Sequence, residues 1–250
     1  MTNEPIRDEL RLFDALYEDE NAVVRALRSG ALAESSDEEG TTALYLASVQ
    51  DRLEAVRLLL VAGADPNRAS GPGASDLPLC GAACGGHTEV VEALLSAGAR
   101  PDLREEFGFT ALRWAVGLGQ APTVEALLAH GADPLLPGPQ GEAMLVLAAQ
   151  RGSLRTVRAL LAHGAGAAGQ EPVVALALAE ARRIAALDPE RELRRLEESY
   201  GSGIETVTLH DRRDGEETMA VELLRDGVPS AGTDQHTGHG EIAVLLGGPS

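Results

Sequence analysis

Four stretches of this chain repeat one pattern of apolar residues at a nearly constant spacing. Each begins with a short apolar segment (LYLAS, LCGAA, LRWAV or LVLAA), passes through a polar or Gly break, and ends in a second segment with helical periodicity. The equivalent leucines, 35, 33 and 33 residues apart, are Leu44, Leu79, Leu112 and Leu145. A period of about 33 residues predicts stacked copies of one two-helix unit.

Glycines and composition support the same interpretation. The second segment of every unit ends at a Gly, which favours a left-handed C-terminal cap. These glycines are Gly63, Gly98, Gly131 and Gly164. Hydrophobic residues make up 44% of the chain but aromatic residues only 3%. A core of small and medium side chains suits close, repetitive helix packing.

The repeated units resemble ankyrin repeats, in which a β-turn precedes two antiparallel helices and T-P-L-H-x-A opens the first helix. The signature remains as TALY, LPLC, TALR and AMLV, followed by the pair Gly86-His87 and by GADPN or GADP. None of the four units has the full tetrapeptide, and the second carries two extra residues in ASGPGAS. The resemblance covers about residues 8–170 and implies an all-α fold, an α-solenoid of ankyrin-like helix-turn-helix repeats.

The domain organisation follows from this periodicity. We expect a degenerate N-terminal capping repeat over residues 1–39, four ankyrin-like repeats over 40–170, and a divergent C-terminal capping region over 171–250. Residues 1–40 carry 11 acids and 4 Arg, whereas residues 41–170 carry 12 and 9. An acidic first unit suits the end of a stack, because a terminal repeat keeps its outer face in water.

Beyond residue 170 the period breaks. A long inner helix is expected from Glu171, a short helix from Asp188 to Gly201, and an outer helix of a closing unit in TGHGEIAVLL. Alternation around Asp214-Gly215 favours a β-hairpin inserted near the C-terminus at about 204–224, although TMAVELLRDG can also be interpreted as a helix. Residues 227–238 are expected to be a flexible loop.

The stretch CGAACGGH resembles a metal site because it holds both cysteines of the chain and a histidine. Cys80, Cys84 and His87 would supply three of the four ligands of a closed zinc site, and the Gly pair should end the helix before His87 reaches the face of the cysteines. Residues four apart on a helix are also too distant for a good disulfide. We interpret the stretch as packing scaffold and expect no metal or cofactor, so that replacing both cysteines would cost roughly 1–2 kcal/mol if both are buried.

The remaining histidines are interpreted as structural. His239 occupies a G-H turn like His87, and His236 lies in the expected loop with Asp234 nearby. His130 and His163 lie in the last turn of an outer helix, where a partly cationic side chain complements the helix dipole. No nucleophile-base-acid set, Gly-rich phosphate loop or HExxH helix appears, and no catalytic residue is assigned.

In ankyrin-like stacks, the turn tips and the exposed positions of the inner helices form a concave surface that binds partners. The resemblance assigns these positions to Glu38, Glu39, Thr41, Val49, Gln50, Asp76, Cys84, Phe107, Phe109, Gly117, Leu118, Gln140, Glu142, Gln150 and Arg151. We expect Phe107 and Phe109 to be apolar anchors, because an exposed aromatic pair is typical of a binding site. The alternative is that both rings pack against neighbouring tips or Trp114.

The sequence therefore predicts a non-catalytic protein-protein interaction module, monomeric and cytoplasmic. A net charge of -18 argues against nucleic acid and anionic membranes as partners and favours a protein with a basic patch. An inhibitor or immunity-type partner of a basic enzyme is one variant. The alternative function is an enzyme or metal-dependent sensor that uses the C-terminal region, which metal analysis of the purified protein would distinguish.

Overall fold

This computed structural model describes residues 12–186, 204–213, 216–225 and 228–247. The short helix expected at 188–201 and the turn expected at Asp214-Gly215 lie outside the described residues. The chain divides into two compact units, Met1–Gly141 and Glu142–Ser250, and each is described by itself.

Paired helices make up the first unit. They are α1 (residues 12–17), α2 (Glu20–Arg28), α3 (Ala43–Val49), α4 (Leu53–Val61), α5 (Pro78–Gly85), α6 (Thr88–Ser96), α7 (Ala111–Gly117) and α8 (Ala121–Ala129). The inner helices α3, α5 and α7 pack in one row, and the outer helices α2, α4, α6 and α8 pack in a second row. Leu59, Leu94 and Leu127 come from successive outer helices and are fully buried. The apolar period of the sequence therefore builds the core of this unit.

Capping residues determine where these helices begin and end. The side chains of Thr42 and Thr110 accept hydrogen bonds of 3.2 Å from backbone N–H groups in the first turns of α3 and α7. The second repeat has no such Thr and begins α5 with Pro78, which suits the first helical position. Each outer helix α4, α6 and α8 is followed by a Gly with a positive φ, for example 98° at Gly63. The predicted glycine caps are therefore confirmed.

Backbone hydrogen bonds link the turns that precede the inner helices. The N–H of Gly71 donates to the carbonyl of Gly40 at 3.0 Å, and the N–H of Glu106 donates to the carbonyl of Ser75 at 3.0 Å. The two extra residues of the second repeat are taken up by a short 3-10 turn, Pro72–Ala74. Consecutive turn tips of the first unit are thus held side by side.

The second unit contains one further repeat and a closing helix pair. Its helices are α9 (Met144–Arg151), α10 (Leu154–Ala162), α11 (Glu171–Ala185) and α12 (His239–Leu245). The long helix α11 packs on α9, and α12 packs on α11 and α10. These contacts are those of an inner and an outer helix, so the predicted helices from Glu171 and in TGHGEIAVLL are confirmed. The residues between α11 and α12 form an insertion within this pair.

The insertion includes three strands in the order β1 (Ile204–Arg213), β2 (Glu216–Arg225) and β3 (Val228–His236), each antiparallel to its neighbour. The expected hairpin at about 204–224 coincides with β1 and β2, and Thr208 pairs with Val221. The flexible loop predicted at 227–238 is wrong, because residues 228–236 pair with the other edge of β2. Gly and Pro in this stretch suggested a loop, but pairing with β2 overrides local composition. None of the described helices is long and apolar enough to cross a membrane.

Candidate protein-binding surface

The positions assigned to the binding surface are all at least partly exposed, but they are divided between the two units. Most lie in the first unit, on the turn tips and on the ends of α3, α5 and α7. Glu142, Gln150 and Arg151 lie in the second unit. The first unit therefore carries most of the candidate residues, on a continuous set of turns.

The two phenylalanines of the third turn, at residues 105–109, have different environments. The Phe107 side chain is 68% exposed. Phe109 is half-buried, and its ring centroid lies 4.9 Å from that of Trp114 at an interplanar angle of 57°. The guanidinium carbon of Arg113 lies 5.0 Å from the centroid of the Phe109 ring. Phe109 thus packs on Trp114, as the alternative for this ring had it, whereas Phe107 is exposed to solvent; the role of both rings as anchors stays a prediction.

Glu105 connects the third turn to the inner helix α7. Its backbone N–H donates to the Phe109 carbonyl at 3.0 Å, which closes the turn, and its carboxylate accepts the indole N–H of Trp114 at 2.8 Å. Arg104 supports the same turn by donating to the carbonyls of Gly108 at 2.6 Å and Pro137 at 2.7 Å. The aromatic side chains and the carboxylate of this turn are therefore positioned before any partner arrives.

Tyr45 and Val49 lie over Gly81, which makes the contact between α3 and α5 close. A Cβ added at Gly81 would lie 2.6 Å from Val49 Cγ1 and 3.0 Å from Tyr45 Cε2. The absence of a side chain at position 81 lets the half-buried Tyr45 ring lie against the α5 backbone. Tyr45 is consequently held on the exposed side of the inner helices.

We use the name aromatic-acidic cluster for five residues, Tyr45, Asp76, Glu105, Phe109 and Trp114. Burial raises the pKa of Glu105, the Trp114 hydrogen bond opposes that shift, and the negative charge of Asp76 adds to it. Burial also raises the pKa of Tyr45, and Asp76 and Glu105 raise it further. The charged residues that act on these groups are acidic, so the cluster has a negative potential.

The turns around the cluster have the same sign of charge. Residues 37–41, 71–76 and 105–109 contain six acidic residues and no Arg. In the first of these turns, Asp37 Oδ1 accepts the backbone N–H groups of Glu39 at 3.1 Å and Thr41 at 2.7 Å. Asp37 therefore stabilises its own turn, while Glu38 and Glu39 are exposed.

The CGAACGGH stretch is part of the repeat scaffold in this structure. Cys80 is buried, whereas Cys84, one turn further along α5, is exposed, so the condition that both cysteines are buried is not met. His87 Nε2 donates to the Val49 carbonyl at 3.2 Å, and His87 Nδ1 lies 3.5 Å from an Asp51 carboxylate oxygen. His87 thus links its repeat to the preceding one. Within the described residues, no group of three or more His, Cys, Asp or Glu could hold a metal ion.

The other histidines behave as repeat elements. Nδ1 of His130 and Nδ1 of His163 each donate to the carbonyl four residues earlier, at 2.9 Å, so both cap the end of an outer helix. His239 Nε2 donates to the Gln150 carbonyl at 3.1 Å, which matches the contact of His87 in the first unit. Burial lowers the pKa of His239, while that hydrogen bond opposes the shift. Gln150 Nε2 donates to Glu180 Oε2 at 3.5 Å, so α11 lies beside the Gln150 side chain.

Tyr45 and Glu105 were missing from the positions assigned by resemblance, and Trp114 was considered only as a packing partner. Tyr45 and Trp114 stand one place apart in their repeats, so the register of the repeat does not align them. A usable signal was that Trp114 is the only Trp in a chain with three Tyr and three Phe. Large aromatic residues are rare here, and Trp114 packs on Phe109 while it donates to Glu105.

The family comparison agrees with this architecture. Residues 39–70 match the model of the ankyrin repeat, and residues 79–170 match a model of ankyrin repeats in three copies. Both matches lie where the structure has the helix pairs α3 to α10. The chain is an ankyrin repeat protein.

Curated relatives match only part of the chain. Ankyrin repeat domain-containing protein 63 of Homo sapiens is 39% identical over 97 residues, which is 37% of this chain and 25% of that protein. The E3 ubiquitin-protein ligase hecd-1 of Caenorhabditis elegans is 38% identical over 104 residues, 41% of this chain and 4% of that protein. The E3 ubiquitin-protein ligase Ufd4 of Drosophila melanogaster is 37% identical over 108 residues, 42% of this chain and 4% of that protein. The chain thus spans a quarter or less of the length of these relatives.

Proposed function

We propose that this chain is a non-catalytic protein-binding module, and that the turns and inner helices of its first unit bind the partner. Ankyrin repeats generally mediate protein-protein interaction, and the family matches cover the repeats that carry this surface. The observation that carries the proposal is Phe107, a large apolar residue that is 68% exposed on a turn to which Arg104 is hydrogen-bonded. An exposed aromatic side chain on a preformed support is the usual anchor of an interface.

The proposed contacts extend along the turns and the helix ends. In the first unit they are Glu38, Glu39, Thr41, Val49, Gln50, Asp76, Cys84, Phe107, Phe109, Gly117, Leu118 and Gln140. Glu142, Gln150 and Arg151 are proposed as contacts made by the second unit. The acidic turns favour a protein partner with a basic patch, such as a basic enzyme that the module inhibits.

Site-specific photo-cross-linking in the native lysate tests this function. A photoreactive phenylalanine analogue placed at position 107 should capture a protein that the same analogue at position 61 does not. Val61 is the matched control, because it is 90% exposed on the outer helix α4 of the same unit. Untagged wild-type protein should compete with the capture. Capture from position 61 alone, or capture that wild-type protein does not reduce, would contradict the proposal.

A further inference from the structure

The aromatic-acidic cluster carries two carboxylates without a cationic partner among the described residues. Glu105 Oε1 accepts the Trp114 indole N–H, but the described part of the chain gives Glu105 Oε2 no hydrogen bond. The Asp76 carboxylate likewise forms no hydrogen bond or ion pair within the described residues. Elsewhere in this unit carboxylates do pair with arginines, for example Glu34 with Arg68 at 2.7 Å.

This arrangement costs free energy in the unbound protein. A carboxylate that is withdrawn from water without a counter-charge is destabilised, and a second carboxylate nearby adds repulsion. A cation supplied from outside would remove both costs at once. Binding a cation should therefore release more free energy at this site than at an exposed acidic patch, because an exposed ion pair contributes little binding free energy.

The aromatic members of the cluster specify the shape of the cation. Tyr45 and Trp114 are half-buried; the Trp114 indole N–H donates to Glu105 at 2.8 Å, and the charges of Asp76 and Glu105 act on Tyr45. A planar guanidinium stacks on aromatic faces while it donates two parallel hydrogen bonds to a carboxylate. The protein already contains one guanidinium-aromatic contact, since the guanidinium carbon of Arg113 lies 5.0 Å from the centroid of the Phe109 ring. A second ring face and an available carboxylate oxygen therefore suit a second guanidinium.

We propose that the aromatic-acidic cluster binds an arginine side chain of the protein partner, with Glu105 and Asp76 as the acceptors and the rings of Tyr45 and Trp114 as the stacking surface. This inference rests on the proposed function and specifies the chemistry of the partner. Phe107 lies two residues from Glu105, so it would contact the apolar residues that flank the arginine in the partner chain.

This chain offers a direct probe, because Trp114 is its only tryptophan. A short peptide of repeated Gly-Ser-Arg triplets should produce a saturable change in Trp fluorescence at physiological ionic strength. The same peptide with citrulline in place of arginine keeps the shape of the side chain and lacks the charge, so it should produce none. A peptide with lysine in place of arginine should bind more weakly. An ammonium group is not planar, so it cannot stack flat on a ring, and it cannot donate two parallel hydrogen bonds to one carboxylate.

Two variants with equal net charge separate a specific site from general attraction to an acidic protein. Glu105→Gln should weaken the arginine peptide about five- to tenfold, while its side-chain oxygen can still accept the Trp114 N–H. Glu92→Gln removes one negative charge from the exposed side of the outer helix α6 and should leave the affinity unchanged. If Glu105→Gln fails to fold, Asp76→Asn replaces it, with the same expected loss.

Three results would overturn the inference: equal binding of the citrulline peptide, equal binding of the lysine peptide, or equal weakening by Glu105→Gln and Glu92→Gln. These failures differ from failure of the proposed function. Cross-linking from position 107 would persist if only the arginine site were wrong, and it would be absent if the surface bound no protein.

Discussion

Gly81→Ala tests the close contact between the inner helices α3 and α5. The added methyl would lie 2.6 Å from Val49 Cγ1 and 3.0 Å from Tyr45 Cε2, so one of the helices or side chains must move. Alanine gains about 1 kcal/mol over glycine in a helix interior, whereas overpacking a core costs about 1–3 kcal/mol. The net effect is a loss of up to about 2 kcal/mol in the free energy of unfolding.

Gly240→Ala is the matched control, because Gly240 is also helical and a Cβ there meets no atom within 4 Å. It should be neutral or stabilise the protein by a few tenths to about 1 kcal/mol, so the difference between the two variants isolates the overpacking. Both are measured by urea unfolding of the full chain.

A double-mutant cycle with Val49→Ala completes this test. Removing the Val49 methyl groups opens space for the new Cβ, so the double variant should be more stable than the sum of the single changes by about 1 kcal/mol. A Gly81→Ala protein as stable as the Gly240→Ala protein, or a cycle without coupling, would refute the close packing of Tyr45 and Val49 on α5.

Three further predictions address individual side chains. Phe107→Ala should change the free energy of unfolding by less than about 0.5 kcal/mol, whereas Phe109→Ala should cost about 1–2 kcal/mol, because only Phe109 packs on another ring; denaturant unfolding of both variants checks this. Asn67→Ala should cost about 1 kcal/mol in the same assay, because the Asn67 side chain bonds the Gly98 carbonyl at 3.0 Å and a backbone N–H of the next repeat at 2.8 Å. The pKa of His239 is lowered below its ordinary value of 6.5, so its stabilising contribution is complete above that pH and is lost as the pH falls through 6.5 toward the folded-state pKa. Thermal midpoints of wild type and His239→Ala should therefore converge as the pH falls, and a constant difference between them would contradict this role.

Much of the helical architecture could be predicted because each repeat contains the same local sequence signals. The apolar period places the buried leucines, the Gly after each outer helix has the positive φ that its cap requires, and Thr42 and Thr110 cap their helices. The closing helix pair, α11 and α12, could also be predicted, since the G-H signature at His239 repeats that at His87. Both histidines donate to a carbonyl of the preceding inner helix.

The candidate site was less predictable, because it depends on contacts between repeats. Phe107 and Phe109 are separated by one glycine, and sequence alone does not indicate which ring meets Trp114. Glu105 replaces the turn-capping Asp37 of the first repeat with a side chain one methylene longer, which reaches the indole instead of its own turn. Similarly, the strand pairing of Val228–His236 is set by β2 and not by the Gly and Pro of its own sequence.

Hydrogen exchange of the full chain, with and without the arginine peptide, tests the central claim most directly. Binding at the proposed surface should slow exchange in the turns at 37–41, 71–76 and 105–109 and at the start of α7, because the peptide would cover these segments. The outer helices α4, α6 and α8 should keep their exchange rates. Protection confined to those outer helices, with unchanged exchange at 105–109, would contradict the account.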